Sequence, residues 1–98
     1  MTEVRWTPQA ADDLQAIHDF IARDSLRYAR AEIERILAAV DQLELFPESG
    51  RIVPEYRRED VRELIERPYR IVYRTHQEAV VVLMVFRASR LIPTLPKG

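Results

Sequence analysis

Residues 61–86 read VRELIERPYRIVYRTHQEAVVVLMVF, and this stretch decides the fold. Val61–Glu66 and Tyr69–Arg74 are rich in β-branched and aromatic residues and flank Arg67-Pro68, so they read as two strands. The polar turn Thr75, His76, Gln77 and Glu78 leads into a third, Ala79–Phe86. From Val80 to Phe86 the residues are continuously apolar instead of alternating, which predicts a central strand covered on both faces. Three strands with such short connections predict an antiparallel β run.

Upstream, the pattern changes period. Glu3-Val4-Arg5-Trp6-Thr7 alternates, with Val4 and Trp6 on one face, and reads as a short N-terminal strand. Thr7 offers a helix cap and Pro8 sits where a helix needs no N–H. Ala10, Leu14, Ile17 and Ile21 then recur at helical spacing to about Arg23. Asp24 and Ser25 break the pattern. A second apolar stripe follows through Leu26, Ala29, Ile33, Ile36, Leu37, Val40, Leu43 and Phe46, ending before Pro47. Two helices so closely joined form an antiparallel hairpin with both stripes on one sheet. Pro47–Asp60 shows no sustained period and reads as a surface loop. The tail Pro93-Thr94-Leu95-Pro96 reads as an edge or a frayed end. The order predicts an α+β layer structure, a helical hairpin packed on an antiparallel sheet, in a single domain over 1–98.

Composition narrows the function. The 98 residues carry 47% hydrophobic and 32% charged side chains, ordinary for a globule. The longest apolar run falls far short of the ~20 residues that span a bilayer, and no basic-then-apolar leader opens the chain. With no Cys there is neither a disulfide framework nor a thiolate site, which fits a reducing compartment; the expected location is cytoplasmic. Residues 1–49 hold 5 Arg against 10 acids, while residues 50–98 hold 9 Arg and Lys97 against 6 acids. The second half therefore attracts anions, but a pI of 6.1 argues against direct, specific nucleic-acid binding.

His18 and His76 have no partner at metal-ligand spacing, so no metal is expected. Gly50 and Gly98 are the only glycines, which removes any Gly-rich phosphate loop, and no cofactor is expected. Arg and Tyr concentrate on the β half, among them Arg57, Arg58, Arg62, Arg67, Tyr69, Arg70, Tyr73 and Arg74. Alternation puts Arg70 and Arg74 on one side of their strand. Arg87 and Arg90 follow the buried strand at its end, a common place for functional side chains. Arg70, Arg74, Arg87 and Arg90 are the candidate binding residues. The plainer reading pairs these arginines with Glu59, Asp60, Glu63 and Glu66.

Several segments fall in a familiar order: Trp6-Thr7-Pro8 before a helix with Asp13-Leu14 and Ile17, Phe46-Pro47-Glu48-Ser49-Gly50-Arg51, Val61-Arg62-Glu63-Leu64, Pro68-Tyr69-Arg70-Ile71-Val72-Tyr73-Arg74, and Phe86 followed by Arg90 and Pro93. Over about residues 4 to 93 this resembles the ParE/RelE toxin superfamily, and within it the ParE or plasmid-stabilisation branch. The resemblance implies the toxin of a type II toxin-antitoxin system, neutralised by a cognate antitoxin that is itself a DNA-binding protein. ParE-type members act on DNA gyrase, and RelE-type members cut mRNA on the ribosome.

Metal-free RNA cleavage needs a base, an acid and a cation for the phosphorane charge. Arg70 matches the family's strand arginine and is the candidate cation. Where many relatives carry His in the last strand this sequence has Arg87, and a guanidinium of pKa above ~12 does not shuttle protons at neutral pH. Tyr69, Tyr73 and Glu63 are the substitutes at hand. The expectation is a gyrase inhibitor that binds and catalyses nothing. The alternatives are a ribosome-dependent endoribonuclease and an inactive member that only binds antitoxin. For the endoribonuclease, Arg70→Ala is expected to abolish cleavage with the fold intact. A groove, free sheet edges and the basic second half predict an acidic, amphipathic antitoxin segment.

Overall fold

The computed structural model describes residues 1–95, so Pro96, the end of the tail reading, lies outside them. Strand β1 (Glu3–Trp6) is followed by helices α1 (Pro8–Ala22) and α2 (Leu26–Asp41) and by a 3-10 turn at Gln42–Glu44. Strands β2 (Arg51–Ile52), β3 (Val61–Glu66), β4 (Tyr69–His76) and β5 (Ala79–Arg87) complete one five-stranded sheet in the order β1-β5-β4-β3-β2.

The helices begin where their caps dictate. The Thr7 hydroxyl accepts the Ala10 N–H at 3.0 Å, and the Ser25 hydroxyl accepts that of Tyr28 at 3.1 Å. Both helices lie on one face of the sheet, where Ala10, Ile36, Val40 and Leu43 pack on Tyr69, Ile71, Tyr73, Val80 and Val82. The second stripe stops at Leu43, because the chain leaves the helix there; Phe46 is 62% exposed. Arg35 fastens α2 to the end of β3, bonding the Glu66 carboxylate at 2.6 Å and the Arg67 carbonyl.

Strands β3, β4 and β5 run antiparallel, and β5 is central as its continuous apolar run predicts. The sheet as a whole is mixed, because β1 pairs with β5 in parallel. That register sets Val4 beside Val80 and Trp6 beside Val82, which places the apolar face of β1 under the helices. A bulge opposite Val72/Tyr73 lets both Leu83 and Met84 join the second core cluster, on the face away from the helices. The segment read as an irregular loop contributes strand β2, whose two residues pair with Glu63 and Arg62. His76, read as a turn residue, ends β4.

The helix-free face is covered as well. Val53, Val61, Val72, Leu83, Met84 and Phe86 form its core, and Tyr56, Ile92 and Leu95 pack against it. The Tyr56 hydroxyl donates to the Pro93 carbonyl. Through Leu95 the tail is thus a strap over the sheet, neither an edge strand nor a frayed end, because Ile92 and Leu95 find an apolar surface to cover.

Close approach fixes Gly50. Its N–H donates to the Tyr73 hydroxyl at 2.9 Å, and a Cβ there would lie 2.6 Å from the Glu63 carbonyl oxygen and 2.7 Å from the Tyr73 hydroxyl. Only glycine lets the chain pass that near to β3 and β4.

Candidate functional site

The turn between β3 and β4 and the turn after β5 lie side by side, joined by the Ala88 N–H donating to the Pro68 carbonyl at 2.8 Å. Together they border an open cleft of about 570 Å³ whose charged lining is Arg51, Arg67, Arg70 and Arg87. Its other walls are Ile65, Pro68, Ala88 and Ser89.

Arg70 stands at the base, directed at two carboxylates. Its Nε donates to Glu63 Oε1 at 2.5 Å, and its two terminal nitrogens grip Glu55 at 2.9 and 2.8 Å. The guanidinium also lies over the Phe86 ring, 5.4 Å from its centroid. Glu63 is sealed in the sheet, and its second oxygen accepts from Arg51 Nε at 2.7 Å. A carboxylate so enclosed requires cations on both oxygens, and Arg51 and Arg70 supply them. The bidentate hydrogen bonds from Arg70 hold the Glu55 carboxyl down at about 2, far below the ordinary glutamate value. The same bonds push Arg70 further up.

Arg74 shares the face of Arg70 but not its site. It pairs with Val61 and Val81, four residues along β4, about 13 Å away at ~3.3 Å per residue. Its neighbour there is Asp60, which Arg58 holds below the usual carboxylate range, with a smaller contribution from Arg74. Arg74 Nε is enclosed without a hydrogen-bond partner.

Arg87 is exposed and lies over the Tyr69 ring, 6.0 Å from its centroid. It borders the cleft of Arg70 on one side and, on the other, a smaller cleft of about 250 Å³ shared with Arg90, Asp13, Ile17 and Phe20. The structure therefore joins Arg87 separately to Arg70 and to Arg90, and leaves Arg74 apart. Sequence reasoning passed over Arg51 and Glu55 as site residues. The β-branched pair Ile52-Val53 inside a polar segment was the available signal for β2, and thus for Arg51. Glu55 had none, since its partner lies 15 positions away.

The groups able to exchange protons are occupied or distant. Glu63 is clamped between two arginines. Tyr73 is buried, accepts the Gly50 N–H, and has its hydroxyl pKa raised by burial. Tyr69 is buried beneath Arg87. His18 lines a groove between the helices with Trp6, Leu14 and Ile33, and His76 pairs with Ala79 at the far end of β4. Among the described residues no cluster of three side chains could hold a metal ion, and no helix is long and apolar enough to cross a membrane.

Residues 4–92 match the family described as ParE toxin of type II toxin-antitoxin system, parDE. The chain is 35% identical to Toxin RelE2 of Caulobacter vibrioides over 91 residues, 93% of this chain and all of that protein. It is 36% identical to Putative toxin Y4kP of Sinorhizobium fredii, over 92% of each chain. A chain of the chromosomal ParDE TA system from P. aeruginosa superposes with a TM-score of 0.74 at 28% identity, covering 89% of this chain and 96% of that one. One from the toxin-antitoxin complex RelBE2 of Mycobacterium tuberculosis gives 0.54 at 25% identity, covering 91% and 93%. With the strand, helical hairpin and antiparallel run all in place, the chain belongs to the ParE toxin family of type II toxin-antitoxin systems.

Proposed function

We propose that this toxin acts by binding, with DNA gyrase as its target in the cytoplasm, and performs no chemistry of its own. The observation that carries the reading is the commitment of Arg70 to Glu63 and Glu55. A cation already neutralised by two carboxylates has little field left for a phosphorane, and turning it outward would strand Glu63 in the sheet with Arg51 alone. Arg87, where the resemblance puts a proton carrier, presents a guanidinium, which has N–H donors but no acceptor for a hydroxyl proton. Exposed Arg87 and Arg90 at the end of β5 are the proposed contacts to target or antitoxin.

A ribosome-dependent endoribonuclease is the second reading, favoured by the open cleft of Arg51, Arg67 and Arg87 and by the likeness to a relative named RelE2. Supercoiling of relaxed plasmid by purified gyrase, run beside a translation reaction in which mRNA integrity is followed, separates the two. Inhibited supercoiling with intact mRNA is the expected result. Cut mRNA with unaffected gyrase overturns the proposal, and neither effect from folded protein points to a member that only binds antitoxin.

A further inference from the structure

The two carboxylates that hold Arg70 are of opposite kinds. Glu63 belongs to β3, is sealed in the sheet and takes the Arg70 Nε. Glu55 belongs to the loop after β2, leaves 42% of its side chain exposed and takes both terminal nitrogens. Removing Glu63 from the pair would strand a buried charge. Removing Glu55 needs only a side-chain rotation into solvent, because the backbone beside it stays pinned: the carbonyl of buried Val53 accepts the Tyr56 and Arg57 N–H groups. What Glu55 leaves behind is a formed receptor. The guanidinium remains fixed at Nε by Glu63 and lies over the Phe86 ring, and its two terminal nitrogens are open at the base of the cleft.

We propose that Arg70 is a receptor for a phosphate group and that Glu55 is its resting occupant, a carboxylate of the chain's own that an incoming phosphate displaces. The charges set the class of ligand. With Glu55 seated, Arg51 and Arg70 are balanced by Glu55 and Glu63; with Glu55 rotated out, two guanidiniums face one carboxylate and the group carries a net charge of +1. Arg67 and Arg87 border the same cleft, exposed and, among the described residues, without an ion pair. An incoming carboxylate gains nothing at the fork, since Glu55 already presents the same two oxygens at the high effective concentration of an intramolecular group. A phosphate fills the fork with two oxygens and has further oxygens and charge for Arg51 or Arg87. The exchange makes and breaks no covalent bond and brings the bound phosphate neither acid nor base. The site therefore holds a phosphate without cleaving it, and the inference is independent of gyrase as the target.

The test titrates inorganic phosphate, and separately an octauridylate RNA without a terminal phosphate, into the full chain at constant ionic strength while NMR follows the Arg70 Nε–H resonance. Wild type is compared with Glu55→Ala and with Glu59→Ala, which removes an equal charge from the same loop at an exposed residue outside the Arg70 ion pairs. Glu55→Ala is expected to bind phosphate about tenfold more tightly than wild type, because a seated Glu55 leaves the free fork only fractionally populated. The Arg70 resonance should move with binding, and Glu59→Ala should match wild type. A gain for inorganic phosphate alone supports the exchange with a free phosphate or a monoester as ligand; a gain for the RNA alone supports it with a nucleic-acid backbone as the source. Equal affinities in all three proteins for both probes would overturn the exchange, as would tighter binding that leaves the Arg70 resonance unmoved. If Glu55→Ala melts below wild type, Glu55→Gln keeps the side-chain stem and carries the same comparison. Gyrase supercoiling measured on the same preparations reads the proposed function separately: inhibition by a chain whose Arg70 takes no phosphate loses the receptor and keeps that function, and the opposite result does the reverse.

Discussion

Glu63 and Arg70 meet diagonally across β3 and β4 at 2.5 Å, with side chains 0% and 9% exposed. This makes Arg70 part of the fold. Arg70→Ala leaves a sealed Glu63 with Arg51 alone, at an expected cost of about 3–5 kcal/mol. The sequence-based expectation that this substitution spares the fold is therefore corrected. Urea unfolding should find Glu63→Gln/Arg70→Met closer to wild type than Arg70→Ala, because the double variant buries no unpaired charge.

Glu55 gives the network a pH dependence. Its carboxyl sits at about 2 in the folded chain against 4.5 for the ordinary group, mainly through its hydrogen bonds to Arg70. A folded value below the unfolded one contributes stability that is complete above about pH 4.5 and is lost as the pH falls toward 2. With the side chain 42% exposed, solvent screening reduces the contribution to about 1 kcal/mol. Thermal melts of Glu55→Gln should show a shallower loss of stability across that window than wild type.

Gly50 should not accept a methyl group. A Cβ 2.6 Å from a backbone oxygen of β3 forces a strand apart, so Gly50→Ala is expected to lose about 1–3 kcal/mol in denaturant titrations. Adding Tyr73→Phe should not restore it, since the Glu63 carbonyl remains in the way and the Gly50 N–H loses its acceptor.

Asp13 stands in for a missing strand. β1 ends at Trp6 while β5 continues to Arg87, and the Asp13 carboxylate accepts the Val85 N–H at 3.0 Å on the edge so exposed. Asp13→Ala should cost about 1–3 kcal/mol for the orphaned donor and speed hydrogen exchange at Val85, which NMR would read directly. Asp13→Asn, keeping an acceptor, should recover most of both.

The tail is a structural strap. Truncation after Arg90 removes Ile92 and Leu95 from the helix-free face and the Pro93 carbonyl from Tyr56. A loss of about 2 kcal/mol is expected from the two partly buried side chains, with increased binding of an apolar dye to the uncovered Leu83, Met84 and Phe86.

Much of this molecule follows from local pattern. Period-3.6 stripes from Ala10 and from Leu26 set the helices, Thr7 and Ser25 start them, and the unbroken run from Val80 marks the central strand, because burial leaves its period in the chain. Partnership across the sheet leaves no such trace. That β1 pairs in parallel with β5, that Ile52 finds Arg62, and that Ile92 and Leu95 fold back on Phe86's face depended on which edges and surfaces the packed layers left open. The candidate site divides the same way. The sequence determined that arginines gather on the β half and that Arg87 follows the buried strand. Only the tertiary structure decided that Arg70 turns to Glu63 and Glu55, that Arg74 stands apart, and that Arg51 and Arg67 join Arg87. Charge pairing is settled by distance in space, and residues 7 and 15 positions from Arg70 become its nearest anions only once the strands and the loop are in register.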